Sequence, residues 1–443
     1  MARLLLPSDY GMIGMLAIFL QISQAFINSG FHNALVQRKD RTEIDFSTVF
    51  YFNVIIAILF YLILFISAPL IAGFYSLPSL LSVIRILGLN LIISAFSAIH
   101  KTILTIRIDF KTQSKVSLTA AFFSGCMGIF MAYTGWGVWA LVFQSLMNTF
   151  LTTLLFHYFF RWKPLKCFSK KSFHNLFSFG SKLMIAGIMN TLYRNLYMIV
   201  IGRLFSATDL GYYTRAEQFV YFPSSNLTTI ISRVAYPILS SIQDDDKRLV
   251  EAYRKYIQLA SFIIFPLMVG LAVLADPIVK LLLTDKWNGV IVLLQILCFD
   301  WMFDHLSYIN LNLLWVKGRS DLSLRIEIVK KTIAILILFA SIPLGLEGMC
   351  WGRVLYSVSA TYINTYYTKK LIGLDFIRQM KDILPYLFVS GMMGVIVSIS
   401  VLCLSSVSGQ IFCGVLIGAV FYLSVSFFFR LSAFSHLLSI IKR

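Results

Sequence analysis

Charge is what this sequence has least of. Of 443 residues only 13% are Asp, Glu, Lys or Arg, against 58% apolar, and mean hydropathy is +0.80. Residues 383–429 carry no charged side chain at all. No water-soluble core needs that much apolar surface, so a soluble protein is excluded. Acid is scarcer than base, with 20 Asp and Glu against 38 Lys and Arg. In a soluble chain a net charge of +18 would point to nucleic acid. In a membrane chain that excess collects in cytoplasmic loops, so no nucleic-acid partner is expected. No Gly-rich loop ends in Gly-Lys-Ser/Thr, which excludes an ATPase on this chain, and no HExxH or GxSxG appears. The six cysteines, Cys126, Cys167, Cys298, Cys350, Cys403 and Cys413, are scattered and lack CxxC spacing. They read as small buried apolar residues rather than disulfides or metal ligands. No loop is long enough to hold a catalytic domain, and no cleavable signal pattern stands at Met1. No enzyme, cofactor or metal is expected.

What is present is long apolar runs. A spanning helix needs ~20 such residues, and a β-barrel would show short alternating segments instead. The runs place thirteen helices near 11–36, 46–72, 79–99, 113–134, 136–160, 175–202, 210–241, 254–275, 288–316, 322–343, 348–368, 383–403 and 409–429. The fold class expected is an all-α polytopic membrane protein. The loops 37–45, 100–117, 161–174, 242–256, 316–331 and 368–382, with the tail 430–443, hold 28 of the 38 Lys and Arg. The opposite connections hold Arg3, Arg203, Lys280, Lys286 and Arg353. The rich set is therefore cytoplasmic, with the C-terminus inside and Met1 outside.

One stretch repeats. Arg203, Leu204, Asp209, Gly211 and Phe219 follow Arg3, Leu4, Asp9, Gly11 and Phe19 at a constant offset of 200. Two copies of one unit are implied, and in transporters such halves pack around a central site. The structural account is that Asp209 caps the next helix, Gly211 relieves crowding, and Arg203 snorkels. An apolar segment, residues 175–201, precedes Arg203, but only Met1 and Ala2 precede Arg3. The counterpart of residue 175 falls about 25 positions before Met1, so helix 1 of the first copy is expected to be missing. The organisation expected is an N lobe over 1–160 (helices 2–6), a basic linker over 161–174, a C lobe over 175–372 (helices 7–12), and an added pair with tail over 373–443. An open groove is expected on the N lobe, exposing Met12, Met15, Phe19 and Phe26.

Charges inside spans are rare and therefore informative. Arg194 lies in the seventh helix with Asn190 one turn before it. Arg215 and Glu217 follow in the eighth, where the first copy has Met15 and Ala17. Lys182 and Arg233 lie nearer the cytoplasmic ends and snorkel in the plainer account; for Arg215 and Glu217 that account is a local ion pair. Asp300 and Asp304 are four apart, on one face of a helix that also carries His305. Two acids so placed disfavour double ionisation and suit ion coupling, the alternative being pairs with arginines of neighbouring helices. Pro223 and Pro266 are hinges or tolerated kinks. Gly348-x3-Gly352 and Gly414-x3-Gly418 are weak packing signals.

Phe179-Gly180-Ser181-Lys182, Gly202-Arg203-Leu204, Asp209-Leu210-Gly211-Tyr212-Tyr213-Thr214-Arg215-Ala216, Tyr236-Pro237-Ile238-Leu239-Ser240 and Val316-Lys317-Gly318-Arg319-Ser320-Asp321 together resemble the second half of bacterial polysaccharide and lipopolysaccharide biosynthesis flippases. Leu4 to Gly11 and Asn28-Ser29-Gly30-Phe31 fit the first half. These flippases belong to the multidrug/oligosaccharidyl-lipid/polysaccharide exporter superfamily. The resemblance implies two six-helix bundles around a V-shaped cavity, extra C-terminal helices, and a place in the bacterial inner membrane. The implied cargo is an undecaprenyl-pyrophosphate-linked oligosaccharide for O-antigen, capsule or exopolysaccharide, with H+ or Na+ coupling and contact with membrane lipids and the polymerase machinery. A pyrophosphate crossing a low-dielectric layer needs cations, so Arg194 and Arg215, with Asn190, Lys182 and Arg233 behind them, are the substrate-binding candidates. Asp300, Asp304 and His305 are the ion-coupling candidates. Those acids keep a second function in view, efflux of cationic drugs. The departure from the family pattern is the N-terminus.

Overall fold

The computed structural model describes the backbone of all residues except 29, 39, 442 and 443; the side chains of 28, 33, 37, 179, 182, 183, 186, 230–234, 236, 320 and 437–441 also lie outside the described residues. Every described element is helical. In chain order they are α1 (Pro7–Asn28), α2 (Phe31–Gln37), α3 (Glu43–Phe74), α4 (Leu80–Leu87), α5 (Leu89–Ile106), α6 (Phe110–Tyr133), α7 (Val138–Phe159), α8 (Lys170–Leu204) and α9 (Ala207–Ser241). Then come α10 (Asp246–Val273), α11 (Ala275–Leu282), α12 (Gly289–Met302), α13 (Asp304–Val316), α14 (Ser320–Ser341), α15 (Gly345–Ile372), α16 (Phe376–Leu402), α17 (Val407–Phe428) and α18 (Ser432–Ile441). Helices occupy all thirteen expected stretches. Among the described residues, ten stretches are long and apolar enough to cross a membrane, one of them, Asp321–Ile372, taking in most of α14 and all of α15.

Polar residues mark where helices begin. Thr42 and Asp45 form a capping box at α3: Thr42 N–H donates to Asp45 Oδ2 at 2.8 Å, and Asp45 N–H to Thr42 Oγ1 at 3.4 Å. Asp109 caps α6, accepting from Thr112 N–H at 3.0 Å and Thr112 Oγ1 at 2.7 Å; these hydrogen bonds lower its pKa from the ordinary carboxylate value. Pro223 and Pro237 lie inside a continuous α9, and Pro266 inside a continuous α10.

The fold divides into two compact units, Met1–Gly211 and Tyr212–Arg443. In the first, α8 runs along α1, α2 and α3. Met15 is therefore buried, at 1% exposure, instead of lining an open groove. Phe26 stacks on Phe60 at 4.7 Å and Phe19 meets Tyr75 edge-on at 6.5 Å. The physical reason is small residues. Gly202 sits where a Cβ would fall 3.1 Å from Met15 and 3.0 Å from Tyr75. Gly30, with φ of +66°, approaches so closely that a Cβ would lie 2.3 Å from the Gly180 carbonyl oxygen. The basic stretch before α8 is pinned to α3. Trp162 Nε1 donates to Glu43 Oε2 at 2.8 Å, Leu165 N–H to Ser47 Oγ at 2.8 Å, and Ser169 N–H to Thr48 Oγ1 at 3.1 Å.

The repeated turn is repeated in space. Asp9 accepts from Leu6 N–H at 2.9 Å, and Asp209 from Ser206 N–H at 3.1 Å, the same geometry 200 residues apart. The two turns also lean on each other. A Cβ on Gly11 would fall 1.7 Å from the Ala207 carbonyl oxygen, and one on Gly211 1.9 Å from that of Pro7. Positions 7 and 207, and 11 and 211, exchange roles, as in a contact with twofold symmetry.

In the second unit α16 lies along α10, and α17 along α16 and α11. Gly418 sets α17 against α16, its Cβ position 3.2 Å from Val397 and 3.6 Å from Met393. The outward faces stay apolar, with Phe388, Leu402, Phe412 and Phe427 exposed. Arg254 of α10 binds Asp382 of α16 through two bonds of 2.7 and 2.6 Å. Arg254→Met is expected to cost about 1–3 kcal/mol, less than a fully buried pair because half the arginine reaches solvent. Thermal melting of the purified protein measures this; an unchanged melting point would mean that α16 is held by apolar packing alone.

Candidate functional site

In the second unit four ionic and aromatic side chains converge on Arg353. It projects from α15, two turns past the start of that helix at Gly345. Its Nη1 donates to Glu217 Oε1 at 2.9 Å and to the Tyr213 hydroxyl, both from α9. Its Nη2 meets Asp300 Oδ2 of α12 at 2.7 Å. The guanidinium also lies 6.0 Å from the Trp301 ring centroid. All three ionic partners are mostly buried, with side-chain exposures of 14%, 20% and 10% for Arg353, Glu217 and Asp300. One cation faces two carboxylates, so the cluster holds one more acid than base.

Arg353 therefore does not belong to an outer connection, where the charge count placed it. The linking turn, Ile342–Leu344, is so short that the arginine falls inside the bundle. Glu217 has an ion-pair partner on another helix. Positions two apart on a helix point in different directions. Arg215 Nη1 donates to Gln218, while Glu217 turns to Arg353.

Asp300 and Asp304 are separated by a break. α12 ends at Met302, Phe303 is a turn, and α13 starts at Asp304, so the expected shared helix face is interrupted. The freed carbonyls are covered by hydroxyls: Ser357 Oγ donates to Asp300 O at 2.9 Å and Ser224 Oγ to Trp301 O at 3.3 Å. Asp304 lies within electrostatic reach of Lys330 and Arg353, and Lys330 pairs with Glu327 at 2.5 Å. His305 points elsewhere, with Nε2 2.9 Å from Ser261 Oγ and its ring against Phe265 at 5.6 Å.

In the first unit Arg194 and Asn190 stand exposed on α8. Next to Arg194, Asn195 ties α8 to α1 by donating to Gln21 Oε1 at 2.9 Å. Arg203 does lie at the helix end, 5.3 Å from the Phe74 ring. Lys182 and Arg233 have side chains outside the described residues. The cysteines are all free; Cys298 and Cys350 are buried, Cys413 is intermediate, and Cys126, Cys167 and Cys403 are exposed rather than buried as expected. Among the described residues no group of three or more metal-binding side chains forms.

A bundle of apolar helices long enough to cross a membrane, with ionic side chains meeting between them, defines a polytopic membrane protein. The fold matches lipid II flippase MurJ in its inward closed conformation with a TM-score of 0.77 at 16% identity, covering 96% of this chain and 93% of that one. It also matches an inward-facing multidrug resistance MATE family transporter of the MOP superfamily, with a TM-score of 0.67 at 15% identity, over 84% and 92%. Residues 1–292 match the family model described as Polysaccharide biosynthesis protein, and the chain belongs to that family. It is 27% identical to teichuronic acid biosynthesis protein TuaB of Bacillus subtilis (strain 168), over 84% of this chain and 78% of that protein. It is 25% identical to lipopolysaccharide biosynthesis protein WzxC of Escherichia coli (strain K12), over 89% and 83%. The all-helical polytopic fold and the family expected from the sequence are both observed.

Proposed function

We propose that this chain flips undecaprenyl-pyrophosphate-linked oligosaccharide repeat units from the cytoplasmic to the outer leaflet of the bacterial inner membrane, for O-antigen, capsule or exopolysaccharide synthesis. One conjunction carries the reading: a polysaccharide-biosynthesis family and the fold of a lipid flippase meet in one chain, the fold over 96% of its length. The Lys- and Arg-rich loops and the C-terminus face the cytoplasm, where the polymerase machinery's substrate is first assembled on its lipid. Arg194, with Asn190, meets the cargo's anionic head. Asp300 and Glu217, bridged by Arg353 and flanked by Asp304, respond to the H+ or Na+ gradient; His305 supports them through α10.

The test is complementation of a strain lacking its own flippase, supplied with defined repeat units. Restored surface polysaccharide supports the reading; no restoration with any unit overturns it. In that assay Arg194→Ala should lower activity far more than Arg3→Ala at equal protein level. Asp300→Asn should change the pH dependence of transport. A second reading, cation efflux, rests on the acidic surplus around Arg353. It predicts resistance to a cationic dye in the same strain.

A further inference from the structure

The first unit holds a cavity of about 330 Å³ that the ionic cluster does not touch. Its walls come from α1, α2, α3, α5 and α8, and no acidic side chain is among the described residues lining it. Four features give it chemistry. Lys101 brings a cation to its edge and is itself exposed. Asn53 is 3% exposed, yet among the described residues its Oδ1 has no hydrogen-bond partner. The Thr102 hydroxyl donates to Ala98 O at 2.9 Å, so it accepts from His32 Nδ1 at 2.8 Å. That assignment leaves His32 Nε2 as an acceptor for whatever enters. From α8, Gly187 leaves open space, with no atom of the described residues within 4 Å of where a Cβ would stand.

A buried orphan acceptor is costly unless a ligand supplies a donor. Here Asn53 Oδ1 lacks a donor, His32 Nε2 is free to accept one, and Lys101 can pair with an anion. A bare phosphate satisfies the lysine and offers few donors. A neutral sugar satisfies the acceptors and leaves the lysine unused. A hydroxylated anion satisfies all three, and the volume lies at the small end of ligand sites, enough for one sugar ring with its phosphate. We propose that this cavity is a sugar-phosphate subsite, with Lys101 holding the phosphate and Asn53 and His32 accepting hydroxyl hydrogens. The subsite rests on the flippase reading for its biological source, because a lipid-linked sugar and a free sugar phosphate share this chemistry.

The experiment uses the full chain in nanodiscs and reads binding by calorimetry. The soluble probes are glucose 1-phosphate, glucose and inorganic phosphate; a second arm incorporates a polyprenyl-phosphate-linked glucose in the disc. Glucose 1-phosphate should bind at least about tenfold more tightly than glucose or phosphate, the difference expected when one polar contact is lost. Lys101→Met should weaken both phosphate-bearing soluble probes, and Asn53→Leu should weaken glucose and glucose 1-phosphate but not inorganic phosphate. Gly187→Leu fills the space without altering any polar group and should abolish binding of all. Lys163→Met, in the exposed linker, should change nothing. Binding in the soluble arm alone names a free metabolite as the source, and binding in the lipid arm names the cargo. Affinities for glucose 1-phosphate that are equal in the parent, Lys101→Met and Gly187→Leu proteins, or no binding in either arm, would overturn the subsite. Complementation by the parent chain separates the two ideas. Transport with no effect of these variants on binding sinks the subsite alone. Binding lost in Lys101→Met, in a chain that never complements, sinks the flippase reading alone.

Discussion

Arg353→Met is expected to cost about 3–5 kcal/mol of stability, the penalty for removing one partner of a buried ionic group. The substitution keeps much of the side-chain volume and removes the charge. Glu217 and Asp300 then face each other without the guanidinium that now touches both, at 2.9 and 2.7 Å. The Tyr213 hydroxyl loses its donor as well. Thermal melting of the purified protein and the level of folded protein in membranes measure the loss. A triple variant carrying Glu217→Gln and Asp300→Asn besides Arg353→Met should recover much of it, because neutral amides leave no buried charge unpaired. If Arg353→Met melts like the parent, the cluster is solvated and is no candidate for ion coupling.

Gly11→Ala and Gly211→Ala are each expected to destabilise the first unit at or above the upper end of the ~1–3 kcal/mol typical of overpacking. The added carbon would have to occupy a point 1.7 or 1.9 Å from a backbone carbonyl oxygen, and backbone cannot rotate away as a side chain can. The helix ends must separate. Because the contact is reciprocal, the separation forced by one alanine also makes room for the other. The double variant should therefore cost clearly less than the sum of the singles, a coupling that a double-mutant cycle reads directly. Gly125→Ala, in α6 with no atom within 4 Å of its Cβ position, is the control and should be neutral or stabilising. Additive losses at Gly11 and Gly211 would mean two unrelated tight spots rather than one shared contact.

Much of this was legible in the amino-acid order. Apolar runs locate helices because nothing but a hydrogen-bonded helix tolerates a bilayer as a single segment. Asp209 announces itself as a cap because a carboxylate three residues after Ser206 can reach back to its N–H. What stayed hidden depends on contacts between distant positions. Arg353 stands near the start of the expected span 348–368 and so counts with the outer connections; its partners Glu217 and Asp300 lie on helices distant in sequence, which charge counting does not see. The interruption at Phe303 carries neither Pro nor Gly; it is stabilised by Ser357 and Ser224 from other helices, which no local pattern reveals. The cavity around Lys101 draws its wall from five helices, mostly through small or apolar residues that form no motif. The allegiance of α8 to α1 follows from close approaches at Gly180 and Gly202, and a glycine inside an apolar run does not say which neighbour it admits.

The pinned stretch before α8 bears on how the chain would break. Arg161, Lys163 and Lys166 look like an ideal protease site between two halves. Yet Trp162, Leu165 and Ser169 are fastened to α3, so cleavage there first requires those three hydrogen bonds to open. Should a nick occur, α8 on its far side still lies along α1, α2 and α3. The cut falls within one packed unit, and the next seam, between Gly211 and Tyr212, lies inside the continuous helix α9. Trypsin would then leave two bands on a denaturing gel and a single particle in the micelle, and the severed pieces, made separately, would have to find each other to fold.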